Sequence, residues 1–317
     1  MSGNTQGALY ALLAFAIFST HDVIVKVLGA SYSPIQIVFF SVLFGFPLVA
    51  LMLISDSTSG TLRPKHPWWT ALRTLATSLT GVSIFYAFSV LPLAQVYAII
   101  FASPLLITVL SIPVLGEKVR LRRWVAVIVG LCGVLVVLQP GSQDLSLGHL
   151  AALIGAVASS FAAVIVRKIG RDERNVVLLV YPMLANFLVM GAALAFVYKP
   201  MPLVHLGGVA VMAVLAFAAS AFVIRAYKAG EAVVVAPMQY SQIIWASALG
   251  WLIFGETMTP ATGLGALIII GSGVYIVLRE GSGSASNTTP VRRTRSRPET
   301  GTSLRIGPVI RARREQS

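Results

Sequence analysis

The chain has 317 residues, of which 56% are hydrophobic and 11% are charged, whereas roughly a quarter of the residues of a soluble domain are charged. A soluble fold of this length could not bury so much apolar surface, so the composition predicts an integral membrane protein. The net charge of +13 does not indicate a nucleic-acid partner, because the basic residues lie in short loops and in a tail.

Long uncharged segments predict the membrane spans. Between Arg73 and Glu117 there are 43 residues without a charge, and residues 175–198 and 232–255 form two further uncharged runs of 24. Roughly twenty apolar residues cross a bilayer core as a helix, and lipid cannot hydrogen-bond an exposed backbone. Pro92 divides the longest run by a tight turn. The sequence therefore predicts an all-α protein with ten transmembrane helices, near residues 7–28, 34–54, 69–90, 92–115, 122–139, 147–168, 175–198, 203–224, 232–254 and 258–278.

The basic residues predict the orientation of these spans, because loops rich in Lys and Arg stay in the cytoplasm. With a cytoplasmic N-terminus, 22 of the 24 Lys and Arg residues fall on the cytoplasmic side, and Lys26 and Lys199 fall outside. We therefore expect a multi-pass protein of the cell (inner) membrane with both termini in the cytoplasm. Residues 280–317 are rich in Arg, Ser, Thr, Gly and Pro, which predicts a disordered basic cytoplasmic tail.

An internal repeat divides the membrane region into two halves. Residues 91–138 resemble residues 230–278, so that Gly116-Glu117 aligns with Gly255-Glu256 at a spacing of 139 residues. This predicts a first five-helix repeat over residues 1–140 and a second over residues 141–279. Because five is odd, the second repeat must cross the membrane in the opposite direction. Such inverted repeats around a midplane site are typical of secondary transporters that work by alternating access.

Taken together, these features resemble the ten-span, EamA-type branch of the drug/metabolite transporter superfamily over nearly all of residues 7–279. The resemblance rests on the doubled five-span unit, the Gly-Glu pairs that end spans four and nine, the glycine-rich spans five and ten, and the stretch from Ser19 to Lys26. Residues 39–48, 63–75 and 85–99 are most similar to the riboflavin-uptake branch and also similar to S-adenosylmethionine carriers.

The resemblance implies a transporter whose spans one, three, four, six, eight and nine surround a central cavity. It implies riboflavin uptake as the first substrate expectation. The alternatives are a carrier of S-adenosylmethionine, of an amino acid or of another metabolite, or an exporter of the same family. No cofactor is expected, and the sequence leaves a homodimer open.

Span one carries Asp22, the one carboxylate that is deep within a predicted span. Ser19, Asp22 and Lys26 fall on one helix face. One interpretation makes Asp22 a relay for protons or substrate, since ionisable groups within a bilayer are costly and often functional. The other makes Asp22 and Lys26 an ion pair at i, i+4. His21 is expected to point away from this face and to pack.

Two prolines, Pro104 and Pro237, lie in spans four and nine, which correspond between the two repeats. Interrupted helices at matching places indicate a transporter's binding site, although each proline could also be a packing kink. Glycine in the two Gly-Glu pairs predicts left-handed helix caps. Glu117 and Glu256 are therefore interfacial residues, with gating as the alternative role.

The substrate-binding candidates are polar and aromatic residues in or near these spans. Uncharged amides, hydroxyls and rings suit a largely neutral, hydroxylated or aromatic solute. The candidates are Asp22, Tyr86, Gln95, Tyr97, Gln239, Tyr240, Gln242 and Trp245.

An intramembrane enzyme is the alternative from another class. It would need a nucleophile with a base or a metal cluster, yet the four histidines are scattered along the chain and no HExxH or GxSxG pattern occurs. The single cysteine, Cys132, excludes an intramolecular disulfide and a CxxC-type metal site. We therefore expect neither an enzyme nor a metalloprotein.

Overall fold

The computed structural model describes residues 3–54, 63–117, 119, 121–140, 145–170, 172–230 and 232–283. Within these residues the fold is entirely helical, which confirms the predicted fold class. Residues 280–317 are the predicted tail, and the part of it from position 284 onward lies outside the described residues. The described residues up to Leu278 belong to one compact unit, and the division into repeats at residues 1–140 and 141–279 stays a prediction.

Twelve α-helices and one short 3-10 segment make up the described part of the chain. The 3-10 segment is Ala236–Ser241, between α10 and α11. The helices are α1 Gly3–Gly29, α2 Pro34–Ile54, α3 Pro67–Val90, α4 Leu93–Ile100, α5 Ser103–Leu115, α6 Leu121–Leu138, α7 Leu147–Ile169, α8 Asn175–Val197, α9 Leu203–Ala229, α10 Ala232–Val235, α11 Gln242–Phe254 and α12 Pro260–Gly283.

Six helical segments are long and apolar enough to cross a membrane by length and composition. They are Gly3–Gly29, Leu93–Leu115, Leu121–Leu138, Leu147–Ile169, Val177–Val197 and Leu203–Ala229. Two shorter apolar helices, Pro34–Ala50 and Pro260–Ile276, accompany them. The apolar helices place the chain in the membrane as a multi-pass protein, while the count of ten spans stays a prediction.

Two pairs of neighbouring helices, α1 with α9 and α3 with α7, pack antiparallel. The start of α1 lies against the end of α9, where a Cβ atom at Gly7 would come within 2.8 Å of the Gly230 Cα, so only glycine permits this approach. The start of α7 lies against the end of α3, where Gly148 meets Val90. The ends of α1 and α3 meet in turn through Gly29 and Ser89.

These contacts define two opposite ends of the bundle. The C-terminal ends of α1 and α3 and the N-terminal end of α7 lie together at what we call the Lys26 end. The N-terminal end of α3 and the C-terminal end of α7 lie together at the other end, which we call the Arg167 end, where Trp69 packs on Ile165 and Ile169.

Predicted spans four and nine are both interrupted, as the two prolines predicted. The first divides into α4 and α5 at Phe101-Ala102, and Pro104 occupies the first turn of α5. The second contains the 3-10 segment, with Pro237 in its first turn. Proline is tolerated there because the first-turn N–H groups have no partner within the helix.

The two Gly-Glu pairs end α5 and α11 in the same way. Gly116 has φ +71° and Gly255 has φ +66°, both in the left-handed region, which confirms the predicted glycine caps. Each cap turns the chain sharply, and the glutamate that follows comes back toward the helices instead of continuing the helix.

Candidate functional site

The candidate site is centred on the Asp22 carboxylate of α1. The Tyr97 hydroxyl of α4 donates a hydrogen bond to Asp22 Oδ2. Gln242 Nε2, at the start of α11, donates to the Tyr97 hydroxyl over 3.4 Å. His21 Nδ1 lies 2.7 Å from Asp22 Oδ1, and the two side chains are only 10% and 13% exposed. Three helices, α1, α4 and α11, therefore meet at one buried carboxylate.

The local fold explains how these groups reach one another. Every residue of α4 from Leu93 to Ile99 is buried, so this short helix lies inside the bundle and carries Tyr97 to the centre. The 3-10 segment makes Gln242 the first residue of α11. Ser19, one turn before Asp22 on α1, lies near the Tyr97 hydroxyl, in agreement with the predicted shared face, and its buried Oγ has no hydrogen-bond partner among the described residues.

A chain of aromatic rings continues from this network. The ring centroids of Phe88 and Tyr97 are 5.5 Å apart, those of Tyr97 and Phe101 are 5.8 Å apart, and those of Phe101 and Tyr240 are 5.1 Å apart. The Phe101–Tyr240 contact is edge to face, with planes at 85°. Rings at these separations attract one another, and all four are buried in the interior of the bundle.

Of the two interpretations of Asp22, the ion pair with Lys26 is contradicted by the structure. Lys26 Nζ lies 2.6 Å from Glu256 Oε1 and also donates to the Leu91 carbonyl. Glu256 Oε2 accepts a hydrogen bond of 3.1 Å from the Leu93 N–H. The left-handed turn at Gly255 brings this distant carboxylate to Lys26, and spacing within α1 cannot reveal such a partner.

His21 also departs from its expected position. It was expected to point away from Asp22 and instead contacts that carboxylate, with its ring 6.1 Å from that of Phe85. Successive helical residues point about 100° apart, yet the imidazole is long enough to reach the oxygen that Tyr97 leaves free.

At the Arg167 end, the other Gly-Glu pair makes the corresponding contact. Arg167 Nη2 on α7 lies 2.7 Å from Glu117 Oε1, with side chains 51% and 33% exposed. Next to it, Lys168 Nζ donates to the Val114 carbonyl over 2.6 Å and lies 4.3 Å from the centroid of the Trp69 ring.

The remaining candidates lie in other surroundings. Gln95 Nε2 and His149 Nε2 are 3.0 Å apart in a buried contact between α4 and α7. Trp245 is 39% exposed and shares a face of α11 with the exposed Leu252, seven residues later, so it faces outward. Tyr86 and Gln239 are half-buried. No contact brings these four residues to the Asp22 network within the part of the chain that the structure describes.

Sequence reasoning missed several residues at the two ends and around Asp22. Phe88 and Phe101 lie in a long apolar run where nothing distinguishes them from packing residues. Arg167 was counted only as a cytoplasmic charge. In the described ranges, no group of three or more His, Cys, Asp or Glu could hold a metal ion.

Comparison with known proteins assigns the family. The profile of the EamA-like transporter family matches residues 5–139 and again residues 146–279. The chain therefore belongs to the EamA-like transporter family. It is a membrane transporter and not an enzyme, and it is matched twice, once in each half.

Similar proteins carry different substrates. An S-adenosylmethionine uptake transporter of Rickettsia prowazekii is 25% identical over 279 residues, covering 87% of this chain and 93% of that protein. A riboflavin transporter of Vibrio cholerae is 29% identical over 296 residues, covering 86% and 92%. A pseudopaline exporter of Pseudomonas aeruginosa is 26% identical over 273 residues, covering 84% and 93%.

A solved crystal structure also shares the fold. The two sequences are 17% identical. The superposition covers 89% of this chain and 98% of the other chain, with a TM-score of 0.58. At this identity the likeness concerns the fold alone. Family membership thus establishes transport, and the choice of substrate depends on the chemistry of the site.

Proposed function

We propose that this protein is a secondary transporter that takes up riboflavin across the cell membrane by alternating access. The observation that carries the proposal is the Asp22–Tyr97–Gln242 network beside the rings of Phe101 and Tyr240. In this proposal ten spans form two inverted five-helix repeats, residues 1–140 and 141–279, and the site lies between them.

The chemistry of the network fits a flat ring system with a polyhydroxyl chain. An aromatic wall can stack on the ring system, while the carboxylate of Asp22 and the amide of Gln242 can bind hydroxyl groups. Hydrogen bonds to a charged acceptor are stronger than neutral ones. Tyr240 belongs to the wall, and Tyr86 and Gln239 are proposed as peripheral contacts.

The distribution of basic residues supports the proposed orientation. Lys26 and Lys199 lie at the Lys26 end, where Gln36 Nε2 donates to the Lys199 carbonyl over 2.7 Å. Arg167 and Lys168 lie at the opposite end. Basic groups concentrate on the cytoplasmic side of membrane proteins, so we place the Arg167 end and both termini in the cytoplasm.

S-adenosylmethionine is the second candidate substrate, and the Asp22 carboxylate is the observation that favours it. A buried carboxylate at the centre of the site attracts a permanent cation in surroundings of low dielectric constant. The rings that would stack on riboflavin would equally stack on an adenine. Binding of the cation would then depend on the charge of Asp22, whereas binding of riboflavin would depend mainly on hydrogen bonds and stacking.

Uptake into proteoliposomes tests the proposal. The purified full-length chain is reconstituted, and entry of labelled riboflavin and labelled S-adenosylmethionine is measured with and without a pH gradient. We expect saturable riboflavin uptake that unlabelled riboflavin abolishes. Saturable uptake of S-adenosylmethionine without riboflavin uptake would transfer the assignment to the second candidate, and empty liposomes provide the control.

A further inference from the structure

We propose that the ion pairs Lys26–Glu256 and Arg167–Glu117 are the two gates of the transport path, and that they open in alternation. This inference rests on the proposed alternating-access function. It adds Lys26 and Arg167 to the functional residues and assigns a partner and a side to each of the two glutamates.

The two pairs correspond to each other through the internal repeat. Arg167 lies near the end of α7, the first helix of the second repeat, 141 residues after Lys26 near the end of α1. Each cation binds the glutamate that follows the fourth span of the other repeat. Both ion pairs therefore join one repeat to the other, at opposite ends of the bundle.

At each end of the bundle, the ion pair and the contacts beside it hold three elements together. At the Lys26 end, Lys26 also binds the Leu91 carbonyl and Glu256 binds the Leu93 N–H, so that α1, the α3–α4 turn and the end of α11 are joined. At the Arg167 end, Lys168 binds the Val114 carbonyl and lies over Trp69. There α7, the end of α5 and the start of α3 are joined in the same way.

The exposure of the two pairs differs, and this difference identifies the tighter gate. The side chains of Lys26 and Glu256 are 12% and 20% exposed, against 51% and 33% for Arg167 and Glu117. An exposed ion pair is screened by water and contributes little. A buried pair leaves an uncompensated charge when one partner is removed. The structure is thus closed firmly at the Lys26 end and loosely at the Arg167 end.

The Lys26 gate directly covers the candidate site. Lys26 lies one helical turn beyond Asp22 on α1, and its ammonium lies 5.3 Å from the centroid of the Phe254 ring. Opening of this pair requires hydration of both charges, which means that water enters from that end. A substrate at Asp22 is then exposed to the Lys26 side only while the Arg167 pair keeps the opposite side closed.

Side-specific cysteine labelling tests the gates. Cys132 is replaced by Ser, and a reporter is introduced by Ser19→Cys, a position that is buried next to Tyr97. An impermeant maleimide is applied to intact cells and to inverted membrane vesicles containing the full-length chain. We expect Lys26→Gln and Glu256→Gln to raise the labelling rate from outside at least roughly fivefold, and to lower it from the cytoplasm.

The other pair should act in the opposite sense. Arg167→Gln and Glu117→Gln should raise labelling from the cytoplasm and lower it from outside. The charge-swapped double variants, Lys26→Glu with Glu256→Lys and Arg167→Glu with Glu117→Arg, should restore the original rates. Lys199→Gln and Arg225→Gln are the matched controls, since each removes a positive charge near one end without touching either ion pair.

Several results would overturn the inference. They are unchanged labelling, shifts of both sets of variants in the same direction, and charge swaps that fail to restore the rates. If the buried Lys26 variants do not accumulate as folded protein, the labelling rates of the exposed Arg167 and Glu117 variants test the inference in their place. The labelling experiment needs no substrate. If the two sets of variants shift labelling in opposite directions but riboflavin is not taken up, the proposed substrate is wrong and the proposed gates are supported.

Discussion

The hydroxyl of Tyr97 donates a hydrogen bond to the carboxylate of Asp22, a residue 75 positions earlier in the chain. The bond joins α4 to α1 in the interior of the bundle, and Gln242 extends it to α11. The three helices belong to both halves of the chain that the family profile matches. A solute bound at this point would contact both halves at once.

Tyr97→Phe should weaken substrate binding without disturbing the packing. The variant keeps the ring that contacts Phe88 and Phe101 and removes the hydroxyl that Asp22 and Gln242 share. The hydroxyl holds the Asp22 carboxylate in place through a hydrogen bond, and such a bond to a charged group contributes about 1.5–3 kcal/mol. If part of that energy orients Asp22 for the substrate, we expect the KM for riboflavin uptake to rise by up to roughly tenfold. Tyr275→Phe, on an exposed face of α12, is the control, and an unchanged KM for Tyr97→Phe would contradict the site.

Asp22→Asn should abolish the response of uptake to a pH gradient. The amide keeps the shape of the carboxylate but cannot take up and release a proton, whereas Asp22→Glu retains a titratable group. We expect the asparagine variant to transport at the same rate with and without a gradient and the glutamate variant to keep part of the response. Gradient-driven uptake that survives in Asp22→Asn would exclude this residue as the relay.

Gln95→Leu should destabilise the protein without changing substrate affinity. The substitution leaves His149 Nε2 without its buried partner, and an unsatisfied buried polar group costs about 1–3 kcal/mol. We expect a lower melting temperature in detergent and an unchanged KM for the folded fraction. A raised KM at unchanged melting temperature would instead return Gln95 to the substrate site.

Gly116→Ala and Gly255→Ala should each destabilise the chain through backbone strain alone. No atom lies within 4 Å of the place where a Cβ would stand at either position, and both residues have left-handed φ values. The left-handed conformation costs a non-glycine residue roughly 1–2 kcal/mol. Asparagine tolerates this region better, so thermal unfolding should rank Gly above Asn and Asn above Ala. Equal stability of all three would contradict the caps.

The sequence was a sufficient guide to features that depend on local chemistry. Uncharged apolar runs predicted the helices, Pro104 and Pro237 predicted the breaks in spans four and nine, and the two Gly-Glu pairs predicted left-handed caps. Each of these features follows from the backbone preferences of one or two residues. The same local chemistry explains why helix bounds came close to the predicted segments.

Contacts between side chains from distant parts of the chain could not be predicted from the spacing of residues along one helix. Lys26 has a carboxylate one turn away at Asp22, and only the folded chain shows that it binds Glu256 instead. The imidazole of His21 reaches Asp22 by the length of its side chain, which helical periodicity does not describe. Trp245 appeared suitable by type and position, yet the α11 face that carries it points outward.

The central claim is that two oppositely inserted repeats enclose the Asp22 site, and the sidedness of the two Gly-Glu turns tests it most directly. Single cysteines at Val119 and Thr257, in a chain with Cys132→Ser, are labelled by an impermeant reagent in intact cells and in inverted vesicles. We predict that position 119 reacts only from the cytoplasm and position 257 only from outside. Reaction of both positions from the same side would contradict the inverted arrangement.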